Sequence, residues 1–150
     1  MLKYTVVPDT FFEKGSEKQI LSQAVQLEEN DKVKYQELPE YKAVLVYVDT
    51  RDGKPLIAKI LECLPTIGDF NKLVAAYDGK VIDIALATGK ELKIVNSYSA
   101  TDELTAEYFI LSVLKRFQVN PKVTVINLLG RTTFKLQNDL FRYFKGVETI

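Results

Sequence analysis

The sequence predicts a mixed α/β fold, with a largely antiparallel sheet extended by a parallel crossover strand and helices on its faces. Three observations carry this. Residues 71 to 98 hold three apolar, β-rich segments separated by two short glycine turns. A helix-length amphipathic stretch, Thr101 to Phe117, follows them. The apolar run Val123-Thr124-Val125-Ile126-Asn127-Leu128-Leu129 comes next, ahead of a last amphipathic segment. A strand reached through a helix-length crossover lies parallel to a strand already in the sheet.

The earlier residues read as a flanking strand, helix, strand, strand and helix. Lys3 to Val7 is β-branched and closed by Pro8, which predicts a strand. Ser16-Glu17-Lys18-Gln19 matches a capping box, and Ile20, Leu21, Ala24, Val25 and Leu27 continue at helical spacing. Glu28-Glu29-Asn30-Asp31 reads as a solvated turn. Val33 to Leu38 is a weak strand. Ala43 to Val48 is nearly continuous in apolar residues, as a strand covered on both faces is. Arg51-Asp52-Gly53-Lys54-Pro55 turns into a helix that stops before Pro65.

In the meander the expected strands are 71–77, 80–87 and 91–98. Asp78-Gly79 and Thr88-Gly89-Lys90 supply the positive φ angles that tight hairpins require. Thr101-Asp102-Glu103 places acids at the positive end of the next helix. Leu104, Tyr108, Phe109, Ile110, Leu111, Val113, Leu114 and Phe117 cover more than one of its faces, which predicts deep burial. Gly130-Arg131-Thr132-Thr133 turns into the final helix. Its expected inward face is Leu136, Leu140, Tyr143 and Phe144, with Gly146 as its stop. The 150 residues are expected to form one domain, with residues 1–66 as the flanking element and 67–150 as the core.

Composition narrows the chemistry. Apolar residues make up 47% and charged residues 27%, a globular balance. Lys+Arg and Asp+Glu each number 20, so no net charge draws the chain to nucleic acid or an anionic membrane. The absence of histidine removes Ser-His-Asp and Cys-His catalysis and any His-ligated metal. The single cysteine, Cys63, lies in an apolar run and reads as a buried structural thiol rather than a reactive one. With no signal-peptide core and no eighteen-residue apolar run, a cytoplasmic location is the expectation.

The strand, strand, strand, helix, strand, helix order from residue 71 is that of the ribonuclease-H-like fold, the unit duplicated in actin, sugar kinases and heat-shock ATPases. A closer likeness lies in Gly89-Lys90-Glu91-Leu92-Lys93-Ile94-Val95-Asn96-Ser97-Tyr98, followed through Thr101-Asp102-Glu103 by Glu107-Tyr108-Phe109-Ile110-Leu111. Together with Val7-Pro8 and Phe11-Phe12, these segments resemble a bacterial domain family of unknown function with an actin-like ATPase fold. The resemblance implies one lobe of such a fold plus a short flanking element, without the first lobe that longer members carry.

Working actin-like ATPases use glycine-rich hairpins to bring backbone amides against phosphates, and a nearby acid to hold the metal and its water. The resemblance places the corresponding hairpin at Ala76-Tyr77-Asp78-Gly79-Lys80-Val81 and the adenine turn at Leu129-Gly130-Arg131-Thr132. Each has one glycine, and Asp78 lies past the family acid's position. Asp78, Gly79 and Lys80 read as a hairpin turn or as a relic phosphate loop with Lys80 as its cation. Gly130, Arg131 and Thr132 read as a strand-to-helix turn or as an anion contact at a helix N-terminus. A metal-dependent nuclease needs several converging carboxylates. Asp83 and Glu107 lack a third partner, and Asp83 reads as a residue on the solvated side of its strand.

The expected function is therefore a non-catalytic actin-like module with no cofactor. It would act through a protein partner or self-association, and not on nucleic acid or membrane. The alternative is a nucleotide-binding protein or ATPase, using ATP and magnesium and completed by dimerisation or a partner lobe.

Overall fold

The computed structural model describes residues 2–150 and falls into two compact units, one up to Glu62 and the other Cys63–Ile150.

The first unit holds a three-stranded antiparallel sheet in the order β1 (Tyr4–Pro8), β3 (Ala43–Val48), β2 (Val33–Leu38). β3 is central, and its first five residues are buried, as its unbroken apolar sequence requires. α1 (Glu17–Ala24) precedes β2, and Leu21 packs with Val44 and Val46. The expected capping box does not form. The Ser16 hydroxyl turns back to donate to the Glu13 carbonyl at 2.5 Å, and the Glu17 carboxylate accepts from the Gly15 amide at 2.9 Å. The acidic turn at 28–31 is closed by Asp31, which accepts from the Glu28 amide and pairs with Lys3. α2 (Leu56–Cys63) ends this unit, with Ile57, Ala58, Ile60 and Leu61 buried.

The second unit is a five-stranded sheet in the order β6 (Glu91–Ser99), β5 (Val81–Thr88), β4 (Asn71–Tyr77), β7 (Val125–Leu128), β8 (Gly146–Thr149). β4, β5 and β6 form the antiparallel meander, and β7 lies parallel to β4 as the crossover rule requires. The meander follows from local chemistry. Gly79 adopts φ 93°, a conformation nearly closed to side-chain-bearing residues, and lets the chain reverse between β4 and β5. α3 (Glu103–Arg116) and α4 (Phe134–Phe141) pack on one face of this sheet. Ile82, Ile84, Leu86, Ile110, Leu114, Ile126, Leu128, Leu136 and Leu140 fill the space between.

Asp102 is the N-cap of α3, and its carboxylate accepts from the Thr105 amide at 2.7 Å. That bond holds the Asp102 carboxyl below its ordinary range. Asp102→Ala is expected to lower stability measurably in a urea melt. No change would mean that this helix start is set entirely by packing.

Several expectations need correction. Leu104 and Tyr108 are 72% and 65% exposed and leave one side of α3 uncovered, while Phe109, Leu111 and Phe117 pack against the core beside Ile110, Val113 and Leu114. Val123 is exposed in a 3-10 turn, and strand β7 starts at Val125. The structured end differs most. α4 stops at Phe141, Tyr143 is exposed, and Gly146 opens the parallel strand β8 instead of ending a helix. Cys63 is half-buried rather than buried. Asp83 is buried, not solvated.

β6 is an edge strand. Ala100 donates to the Lys80 carbonyl, so by strand alternation the Ser97 amide points away from β5. The Asn96 side chain accepts from that amide at 2.8 Å. Among the described residues no helix is long and apolar enough to cross a membrane.

Candidate functional site

β4, β6, β7 and β8 run in one direction and β5 in the other. The carboxyl end of the sheet therefore gathers the β4–β5 turn, the lead into α3, the lead into α4 and the end of β8. Ligands of open α/β sheets bind outside the carboxyl ends of strands. Leu128 is in register with Ala75, and the Leu129 amide donates to the Ala75 carbonyl at 2.9 Å. The turn at Asp78, Gly79 and Lys80 and the turn at Gly130, Arg131 and Thr132 thus leave neighbouring parallel strands at the same end.

The chemistry at these turns is largely spoken for. Asp78 Oδ1 accepts from the amides of Lys80 and Val81, both at 2.8 Å. Those are amides that a phosphate loop would offer to its ligand, and here the chain's own carboxylate takes them. The Lys80 carbonyl accepts from Ala100. The Lys80 ammonium and the Arg131 guanidinium are exposed and form no ion pair among the described residues. Gly130 has φ 80°. Thr133, not Thr132, caps α4, accepting from the Leu136 amide at 3.1 Å. Thr132 Oγ1 is buried without a hydrogen-bond partner.

Acids as well as cations lie at this end. Burial, followed by the carboxylates of Glu103, Asp102 and Asp78, pushes the Tyr77 phenol upward, which places three acids around it. Its hydroxyl donates to the Ala100 carbonyl at 2.9 Å. A cavity of about 360 Å³ in the first unit is lined by Asp9, Phe12, Lys14, Glu37 and Val44, among others, and touches none of these turns.

The nuclease constellation does not assemble. Along β5, Ile82, Ile84 and Leu86 face α3 and α4, so Asp83 points to the opposite face of the sheet. There Ser97 donates to Asp83 Oδ1 at 2.5 Å, while burial pushes the Asp83 carboxyl upward. Glu107 rides on α3, on the other side. Among the described residues no group of three or more His, Cys, Asp or Glu side chains could hold a metal ion.

The burial of two polar residues is not evident from the sequence. Asn127 is 5% exposed, and its amide donates to the Leu73 carbonyl at 3.0 Å. Glu107 is also 5% exposed, its Oε2 has no hydrogen-bond partner, and the Asp139 carboxylate of α4 helps push its carboxyl upward after burial. Its spacing with Ile110 and Leu114 on α3 was the available signal for burial.

The architecture is that of the actin-like ATPase fold. The chain superposes over 99% of its length, with a TM-score of 0.73 and 21% identity, on a Bacteroides thetaiotaomicron protein described as having an actin-like ATPase fold and unknown function. It spans 65% of that protein's length. Residues 2–52 and 50–147 match the family described as protein of unknown function DUF3822, and the chain belongs to that family. No curated protein matches it.

Proposed function

We propose that this chain is a non-catalytic actin-like module of the cytoplasm that works through protein–protein contacts. The observation that carries the reading is an apolar outer face on the α3–α4 pair. α3 follows β6 and α4 follows β7, two parallel strands, and Lys135 lies 3.9 Å from Glu103, so the two helices run side by side in the same direction. Leu104 and Tyr108 each follow an α3 contact position by one residue. Phe134 precedes the α4 contact position Lys135 by one. At about 100° per residue, all three turn to the side opposite the core residues Ile110, Leu136 and Leu140. Phe134 is 77% exposed. A row of large apolar side chains left on one surface is a recognition feature in soluble domains.

The alternative, nucleotide binding with ATP and magnesium completed by a second copy or a partner lobe, is favoured by one observation, the shared position of the two turns. Against it stand the satisfied amides of Lys80 and Val81 and the three acids around Tyr77. Phosphoryl transfer depends on positioning and charge stabilisation, and these turns supply little of either.

The test has two arms. Titration with ATP and magnesium, followed by phosphate release, is expected to give no turnover from wild type or Lys80→Ala. Saturable turnover that Lys80→Ala abolishes would overturn the non-catalytic reading. In the second arm, a photo-crosslinker at position 108 is expected to capture a protein or a second copy inside cells, and Phe134→Ser to reduce that product at least several-fold. Equal capture from both would remove the α3–α4 face from the proposal.

A further inference from the structure

We propose that Glu107 and Asp139 form a proton-operated latch between α3 and α4, closed while the pair holds one proton and strained when it holds none. The latch does not depend on the outer face being a docking surface, since it rests on the floor between the two helices.

The geometry is that of two acids sharing one place. The Glu107 side chain is nearly buried, and its Oε2 has no hydrogen-bond partner. Lys135 of α4 lies 3.9 Å from Glu103 of α3, and Asp139 and Glu107 each sit one turn further along their helices, which sets the two carboxyls across from each other; a hydrogen bond between them requires that one carry a proton. Other charges surround the pair from both helices. From α4, Lys135 is 3.7 Å from Asp139, and Arg142 follows the helix end; from α3, Glu103 takes the other side of Lys135 at 3.9 Å. The two cations temper the repulsion without reaching Oε2. Protonated Glu107 can donate to Asp139 and satisfy both acids at once. Ionised, the pair sets two negative charges together at a site partly withdrawn from water.

Burial, then the Asp139 charge and the hydrogen bond to it, push the Glu107 carboxyl from 4.5 up to about 7. A carboxyl raised in the closed state holds its proton there and releases it on opening. Stabilisation of the closed state is thus complete below about pH 4.5 and declines as pH rises to about 7, where the decline ends. Within that window the α3–α4 opening equilibrium grows by up to about tenfold per pH unit. α4 lies between β7 and β8 in the chain, so its release would loosen the last crossover of the sheet rather than the meander.

Native-state hydrogen exchange on the whole chain, from pH 5 to pH 8, tests this. Protection factors, which remove the intrinsic pH dependence of exchange, are compared for amides of 134–141 and of β5. In wild type, protection across 134–141 is expected to fall by up to about tenfold per unit to pH 7 and then level off, while β5 changes less. In Glu107→Gln, whose amide donates to Asp139 at every pH, the 134–141 profile is expected to be flat. Asp139→Asn removes one of the two causes and is expected to shrink the slope. A flat wild-type profile would overturn the latch. So would an equal slope in Glu107→Gln or, should that variant not fold, in Asp139→Asn.

Discussion

Leu114→Ala is expected to lower the unfolding free energy by about 2–5 kcal/mol, the range for a leucine truncated in a packed core. Leu114 is 1% exposed and sits among Ile84, Ile110 and Leu140, where α3 meets both the sheet and α4. The cost has two parts: the lost transfer of the methyl-bearing carbons from water, and the void left among side chains that cannot all close in. Leu111, three residues earlier and half-buried, is expected to cost a fraction of that on truncation. Urea melts monitored by helix content measure both. A loss under about 1 kcal/mol at Leu114, with the urea slope unchanged, would mean that the α3–sheet contact is not central to stability.

Asn127→Asp is expected to cost about 3–5 kcal/mol at pH 8, with almost no change in side-chain volume. Asn127 lies on β7 in register with Val74, and its amide donates to the Leu73 carbonyl of β4. A carboxylate there turns an attractive contact into two acceptors facing each other, with the charge almost entirely withdrawn from water. Protonation repairs the contact, because a carboxylic acid can donate to that carbonyl. The buried acid therefore has a raised folded-state value, and its penalty grows as pH rises. Paired melts at pH 5 and pH 8 are expected to show a markedly smaller loss at pH 5. Equal losses would imply that water reaches position 127.

The parts of the fold that local chemistry decides were readable in the chain. Asp78-Gly79 and Thr88-Gly89-Lys90 fix two reversals, and the expected 71–77 strand coincides with β4. The β7–β4 parallel pairing follows from the length of the crossover between them. Features that depend on distant partners were not readable. Leu104 and Tyr108 have the composition of core residues, and nothing in α3 alone says which apolar stripe meets the sheet. β8 is four residues long, and its strand character comes from β7 alongside it. Asp83 alternates correctly for a half-solvated strand, but that face is buried too.

The candidate site divides in the same way. The sequence singled out the two turns but could not reveal that Asp78 consumes the Lys80 and Val81 amides, since the Asx-type bond appears only once the hairpin closes. The Glu107–Asp139 contact joins residues 32 positions apart and exists only because α3 and α4 run side by side.

The Asn96 bond at the border of the sheet bears on how the molecule meets its neighbours. An edge strand is a template, and each outward amide is a rung that another chain's backbone can occupy. At Ser97 the rung is occupied from within, by a side chain one residue away. A polypeptide approaching β6 would have to displace that carboxamide before the ladder could continue through position 97. Lengthening of the sheet from copy to copy, the first step toward a fibril, would have to break that bond first. A chain that extended the sheet here would have to give up that internal bond, whereas a contact made by side chains would not.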